Sequence, residues 1–322
     1  MPLDHHASTA IPVLDLQPFL AGAPGAAEAT AAELRRICET IGFLYITGHG
    51  VPAALIAETF AAAARFHAQP EEAKLAVKVN TELQGYMPLR GSTTRSSPLS
   101  PARKPNENEA YFVKRMAEDD SNGGNWPADL PGFRETALRY YDAMDRLAQS
   151  LLPLYASALG LDPDYFAARC DRPLTGLRLT HYPPCDYGAD EFGIAPHTDS
   201  SFFTLLAQNE VPGLQIRTTE GEWIDAPVVP ASFVVNTGDI LHRWSNGRFL
   251  STPHRAFNTS RGPRYAIPYF FHPNPDAMIE CLPGCAAPGE APKFEPITTE
   301  GYMAWFRGQN YDHVRQAAAG KA

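Results

Sequence analysis

No apolar run in this 322-residue chain approaches the length of a membrane-spanning helix. Basic residues are in the minority, 27 Lys and Arg against 36 Asp and Glu for a net charge of -9, and they are dispersed. That balance excludes the basic face of a general nucleic-acid binder. Cysteine is scarce: Cys38, Cys170, Cys185, Cys281 and Cys285 are odd in number and scattered. Only Cys281 and Cys285 lie close, and no second pair at zinc-site spacing joins them, so reduced thiols without a structural zinc are expected. The opening "MPLDHHASTAIPVLDL" lacks the basic start, apolar run and small-residue cleavage site of a leader. A soluble, cytoplasmic protein follows as the expectation. Internal repeats and clear linkers are missing too, while 44% hydrophobic residues is ample for a core.

What is present divides by periodicity. "IPVLDL" (11-16) and "GFLYITGHG" (42-50) read as strands, and 28-41 and 52-67 as helices, with Pro52 in a favourable first-turn position. His49, between two glycines at a strand end, reads as a turn hydrogen-bonder. Residues 85-112 concentrate Pro, Ser, Gly and Arg with few periodic apolar positions, and read as a long functional loop made basic by Arg90, Arg95, Arg103 and Lys104. The strongest helical pattern covers 132-160, with Gly160 as terminator and Pro153 predicting a kink. From 175 to 272 about seven short strands alternate with turns, which suggests a jelly roll. The aromatic stretch 298-316 reads as a helix across its mouth. The expected organisation is 1-174 as a helical region with short strands, 175-275 as the jelly-roll core and 276-322 as a helical extension, in one integrated catalytic unit.

His197 and Asp199 stand two apart in an extended stretch, where side chains alternate, so both point to one side and could grip one metal ion. A second His from a neighbouring strand completes a two-His, one-carboxylate face, the set that leaves open positions on iron(II). A lone His-x-Asp is common by chance. Here "APHTDSSFFTLLAQ" runs from the pair into an apolar strand, "LSTPHRAF" delivers His254, and "GPRYAIPYFF" delivers Arg264 ten residues later. With "GFLYITGHGVP" near the start, the arrangement resembles the isopenicillin N synthase-like branch of the non-haem iron(II) and 2-oxoglutarate-dependent dioxygenases.

That resemblance implies an α+β fold with a mainly β core, a double-stranded β-helix (jelly-roll) barrel flanked by helices. It implies iron(II) on His197, Asp199 and His254, with 2-oxoglutarate and oxygen as co-substrates and ascorbate as a stimulant. The activity implied is hydroxylation of a small-molecule C-H bond, with desaturation and ring closure as variants and 2-oxoglutarate decarboxylated to succinate. Arg264 suits the far carboxylate of 2-oxoglutarate, because guanidinium matches a carboxylate bidentately. "HRAFNTSRGPRYAIPYFF" reads as a hairpin that lays the Arg264 strand beside the His254 strand. Two positions depart from the family pattern: Ala266 stands where a Ser hydroxyl is usual, and Thr180 where Asn is usual. Tyr182 is a candidate replacement donor and co-substrate contact.

Arg178 shares a strand face with Thr180 and Tyr182, and either holds a carboxylate or pairs with a buried acid. Of Phe270 and Phe271 one should wall the pocket, and Phe271 is the expected one. His242 reads as structural. Alternatives remain on sequence alone: an oxidase of the same fold that uses no 2-oxoglutarate, a jelly-roll binding protein without activity, and a hydrolytic zinc site, which leaves Arg264 without a role. The expected partner is a small, anionic molecule, on a monomer or weak homo-oligomer.

Overall fold

The computed structural model of the protein describes residues 11-100, 103-114, 124-311 and 314. The first half of the chain forms β1 (Val13–Asp15), α1 (Gln17–Leu20), α2 (Ala26–Thr40), β2 (Phe43–Thr47), α3 (Ala53–His67), α4 (Glu71–Leu75), β3 (Gly85–Met87), β4 (Glu109–Val113) and α5 (Phe133–Leu159). Then come β5 (Leu174–Tyr182), β6 (Ile194–His197), β7 (Phe203–Gln208), β8 (Leu214–Arg217), β9 (Trp223–Ala226) and β10 (Phe233–Thr237). The chain continues through α6 (Asp239–Trp244), β11 (His254–Ala256), β12 (Arg264–His272), β13 (Met278–Ile279), β14 (Ile297–Thr298) and α7 (Thr299–Asn310). Among the described residues no helix is long and apolar enough to cross a membrane.

From β5 to β12 the strands are dealt between two sheets, and β13 and β14 pair separately. The larger has the order β1-β2-β10-β7-β12-β5-β4-β3 and the smaller β6-β11-β8-β9. This interleaving is a jelly roll made of two sheets and not a closed barrel. Ile216, Leu214 and Ala226 of the small sheet pack with Phe43, Tyr45 and Val234 of the large one, so the sheets face each other. The early strands extend the large sheet on both edges: β2 pairs with β10, and β4 with β5.

The outer face of the large sheet is apolar at every second position, and helices cover it. Leu177, Leu179, Leu205, Val235, Ile267 and Phe271 join one core with Tyr141, Met144, Leu147, Leu151 and Tyr155 of α5. Strand alternation then sends the intervening residues, Arg178, Thr180, Thr204, Asn236, Arg264 and Phe270, into the space between the sheets. Gly160 stops α5 in the left-handed conformation, φ 79°, which a side chain would resist. The helix passes through Pro153 without ending.

Three expectations are corrected by this topology. The strand carrying Arg264 does not lie beside the strand carrying His254: β12 pairs with β5 and β7, whereas β11 pairs with β6 and β8. In a jelly roll the chain crosses from one sheet to the other at this turn. Asn258 fixes the crossing by donating to the carbonyls of Tyr182 (2.7 Å) and Gly262 (2.9 Å). The stretch 85-112 is not wholly irregular, since it begins in β3 and ends in β4; Pro101 and Ala102 lie outside the described residues. Both strands are buried at every position, so they carry no polar-apolar alternation to betray them. Phe271 packs outward under α5, stacked on Phe203 with ring centroids 5.1 Å apart, and it is Phe270 that faces the interior. The helix expected over 298-316 is α7, and residues 312-313 and 315-316 lie outside the described residues. His49 Nδ1 accepts from the Val51 amide at 3.2 Å, a turn contact.

Candidate metal centre and co-substrate cavity

β6 and β11 are hydrogen-bonded neighbours, and their register sets His197 directly opposite His254, with a bulge just beyond in β11. Bulges re-aim side chains at sites of this kind. Each imidazole is oriented by its own strand. His197 Nδ1 lies 2.8 Å from the Ala195 carbonyl, and His254 Nδ1 3.2 Å from the Thr252 carbonyl. Those contacts require the proton on Nδ1 and leave both Nε2 atoms bare. Each Nε2 stands 3.7 Å from Asp199 Oδ1.

Asp199 belongs to the loop after β6, and its other oxygen is held from the large sheet. Thr204 Oγ1 (2.6 Å) and Asn236 Nδ2 (2.8 Å) both donate to Oδ2. Burial alone would raise the pKa of this carboxyl, but His254, His197 and the two donors outweigh it and hold the group below its ordinary range. Burial, then the neighbouring His254, pushes His197 down to about 4, so its ring is neutral near pH 7. Two imidazoles and one carboxylate converge within 4.8 Å, which is the donor set that suits iron(II) with positions left open.

A cavity of about 70 Å³ opens beside these three residues. Its far wall carries Arg264, only 1% exposed. The guanidinium lies over the Tyr182 ring at 4.7 Å, and Nη2 donates to Gln208 Oε1 at 3.1 Å. Nε and Nη1 find no partner among the described residues. Burial lowers the Arg264 pKa, yet guanidinium stays charged. An unpaired buried cation with two idle donors is costly, and a carboxylate arriving from outside would satisfy it. Thr180 pairs directly across from Ala266, and its hydroxyl is also buried without a described partner. A buried, unpaired hydroxyl thus stands directly across the strand pair from Ala266, while Tyr182 presents its ring face to the guanidinium.

A larger cavity of about 140 Å³ adjoins the first and shares Arg178, Ile194, His197, Asp199 and Phe270 with it. The loop after β3 lines it through Ser92, Thr93, Thr94 and Ser96, and α7 through Met303, Phe306 and Arg307. Arg178 donates to Asn108 Oδ1 at 2.5 Å, and its Nε is buried without a described partner. The basic character expected of the loop is spent elsewhere, since Arg90 pairs with Glu107 at 2.7 Å and Lys104 with Glu191 at 3.2 Å.

Behind β5, on the helix side, His67, Glu109 and His181 form a second close group. There Lys74 Nζ (2.8 Å) and the Tyr86 hydroxyl already donate to Glu109 Oε2, and His181 Nδ1 lies 2.7 Å from Oε1. The carboxylate is fully engaged and carries an ammonium beside it. This is a buried charge network that ties α3 and α4 to the sheet.

The structure thus brings together His197, Asp199, His254, Arg264, Tyr182 and Arg178 around adjoining cavities, and leaves Phe271 outside them. Sequence reasoning passed over Thr204 and Asn236, the two residues that orient Asp199. The one signal for Asn236 was a polar residue in the apolar run "SFVVNTG". His242 is structural, its Nδ1 lying 2.6 Å from the Phe249 carbonyl.

Comparison with known proteins gives matches along most of the chain. Residues 174–273 match the model of the 2OG-Fe(II) oxygenase superfamily, and residues 11–131 that of the N-terminal region of non-haem dioxygenases in morphine synthesis. The "2-oxoglutarate-Fe(II) type oxidoreductase hxnY" of Emericella nidulans is 37% identical over 95% of this chain and 91% of its own. A second "2-oxoglutarate-Fe(II) type oxidoreductase", from Aspergillus fumigatus, is 30% identical over 91% of each chain. Among solved structures, a full-length Neurospora crassa protein in complex with alpha-KG and thymine superposes with a TM-score of 0.84 at 29% identity, covering 95% of this chain and 98% of that one.

Proposed function

The chain belongs to the 2OG-Fe(II) oxygenase superfamily and is an iron(II)- and 2-oxoglutarate-dependent oxidoreductase acting on a small molecule, and from that premise we propose that His197, Asp199 and His254 hold the iron and that Arg264 anchors 2-oxoglutarate. The observation that carries this reading is the convergence of two bare Nε2 atoms and a free carboxylate oxygen beside an unspent guanidinium. Iron(II), oxygen and 2-oxoglutarate supply the oxidising chemistry, with decarboxylation to succinate and attack on a substrate C-H bond.

The protein's own residues bind, aim and exclude water. Thr204 and Asn236 occupy Asp199 Oδ2, which leaves Oδ1 facing the two imidazoles. Arg264 and Thr180 meet the far carboxylate of 2-oxoglutarate, and the Tyr182 ring fixes the plane of the guanidinium. Arg178 stands where the two cavities join and faces the substrate side, with Phe270 as the apolar wall. We read the substrate as anionic, because Arg178 has no carboxylate partner among the described residues. Regions 1-174, 175-275 and 276-322 act as one unit, since each supplies part of the sheet or of the cavity lining.

The test is anaerobic titration of Fe(II)-loaded protein with 2-oxoglutarate, following the visible charge-transfer band that chelation gives. The band is expected to vanish in His197→Ala and to need far more 2-oxoglutarate in Arg264→Ala. One bound iron per chain with no band would overturn the co-substrate assignment; a band unchanged in His197→Ala would overturn the ligand set.

A further inference from the structure

Among the described residues the larger cavity is lined by three cations, Lys114, Arg178 and Arg307, and by a single carboxylate, Asp199, whose free oxygen faces the metal position. We propose that the substrate is an apolar carboxylic acid with no ammonium group, its carboxylate held between Lys114 and Arg307. The inference rests on the oxygenase reading above and narrows the substrate class of that same site.

Lys114 follows directly on β4, and among the described residues no carboxylate forms an ion pair with it. Burial, and after it the charge of Arg307, lowers its pKa against the opposing pull of the Glu82 and Glu300 carboxylates. Both cations line the same cavity, and an anion between them relieves both the burial and the repulsion. Arg307 does pair with Glu300, but that carboxylate is 49% exposed and is screened by water. The apolar part of the lining is Leu83, Phe112, Val113, Phe270, Met303 and Phe306.

An α-amino acid would also bring an ammonium, which needs an acceptor. The amide oxygens of the wall are already committed. Asn106 Oδ1 accepts from the Ala195 amide at 2.9 Å. Asn310 Oδ1 accepts from the Arg95 and Ser96 amides at 2.8 and 3.2 Å. Asp199 serves the metal. A buried ammonium would find no carboxylate or amide oxygen free for it among the described residues, so selection falls on acids lacking one.

The experiment uses protein loaded anaerobically with Fe(II) and saturating 2-oxoglutarate, with loading confirmed by the visible band. Calorimetric titrations then compare hexanoate, hexanamide and 2-aminohexanoate, and phenylacetate, phenylacetamide and phenylglycine. Each acid should bind about tenfold or more tightly than its amide and its amino acid, the worth of one charge-assisted contact. Lys114→Met and Arg307→Met should each lower acid affinity about tenfold, with Arg307→Lys retaining most of it and the 2-oxoglutarate titration unchanged. Amides binding as well as acids, amino acids binding better, or no acid binding at all overturns the proposal. A band that forms while the acids show no preference sinks this inference alone; a missing band sinks the oxygenase reading. Should a variant fail to fold, which a lost band reveals, the acid, amide and amino-acid comparison on the unaltered protein decides.

Discussion

Thr180 and Ala266 face each other across β5 and β12, and the exchange between them is visible only as a pair. Ala266 alone looks like the loss of a co-substrate contact, and Thr180 alone like a substitution of no consequence. Together they move one hydroxyl across a strand. Thr180→Val should raise the 2-oxoglutarate concentration for half-saturation of the visible band about fivefold, on the order of 1 kcal/mol; an unchanged titration would mean that the hydroxyl does not reach the co-substrate. His272 supports a second prediction at this scale. Burial holds its pKa down at about 4, against an ordinary 6.5. The unfolded chain therefore takes up the proton first, and stability is complete above about pH 6.5 and lost as pH falls toward 4, by up to roughly 3 kcal/mol. Urea midpoints of metal-free protein at pH 7 and pH 5 should show a smaller difference in His272→Gln. Residues with fixed spacing were legible in the sequence, as His197, Asp199 and His254 were. Thr204 and Asn236 were not, because hydroxyl and amide donors carry no spacing signature, and only the strand order brings them to Asp199.

β12 shows what one element can encode on two faces. Arg264, Ala266, Pro268 and Phe270 face the smaller cavity, while Ile267, Tyr269 and Phe271 pack in the core shared with α5. The parity was present in the sequence, since Phe270 lies three full periods from Arg264, and the expectation of Phe271 overlooked it. Phe271→Ala should cost about 3–5 kcal/mol in a urea titration, as truncation of a buried aromatic does. Phe270→Ala should cost distinctly less, and the reverse order would reassign the faces. The turn into α6 is held as closely. A Cβ on Gly238 would stand 2.0 Å from the Ser201 carbonyl oxygen, in the loop that carries Asp199. Gly238→Ala should therefore weaken iron binding, read by competition with a chelator, more than it lowers the urea midpoint. The loop-like composition of 85-112 concealed β3 and β4, because strands buried on both faces lose the period of two.

Across the whole molecule the proposed metal position joins the two sheets. His197 and His254 come from the small sheet, and Asp199 is held by Thr204 and Asn236 of the large one. An ion bound there stabilises the folded state by mass action, about 2.7 kcal/mol at one hundred times its dissociation constant. Chelation should accordingly lower the melting temperature of the protein, and the effect should be lost in Asp199→Ala. The strands of the jelly roll could be read one by one from their alternation and turns. Their assignment to sheets could not, and the misplaced pairing of β11 with β12 shows why: adjacency in sequence predicts a hairpin, whereas the fold sends these two strands to opposite walls.

The cavity has one more property at this scale. Everything assigned to iron and 2-oxoglutarate lies between residues 174 and 273, whereas Lys114 and Arg307 stand outside that span, one on each side. Part of the proposed selectivity is thus written in stretches of the gene separable from the oxidising core, while Arg178 and Phe270 remain within that core. A lineage can exchange the flanking segments and acquire new substrates without disturbing the oxidising core, and a chimaera that takes both flanks from a relative should inherit that relative's preference.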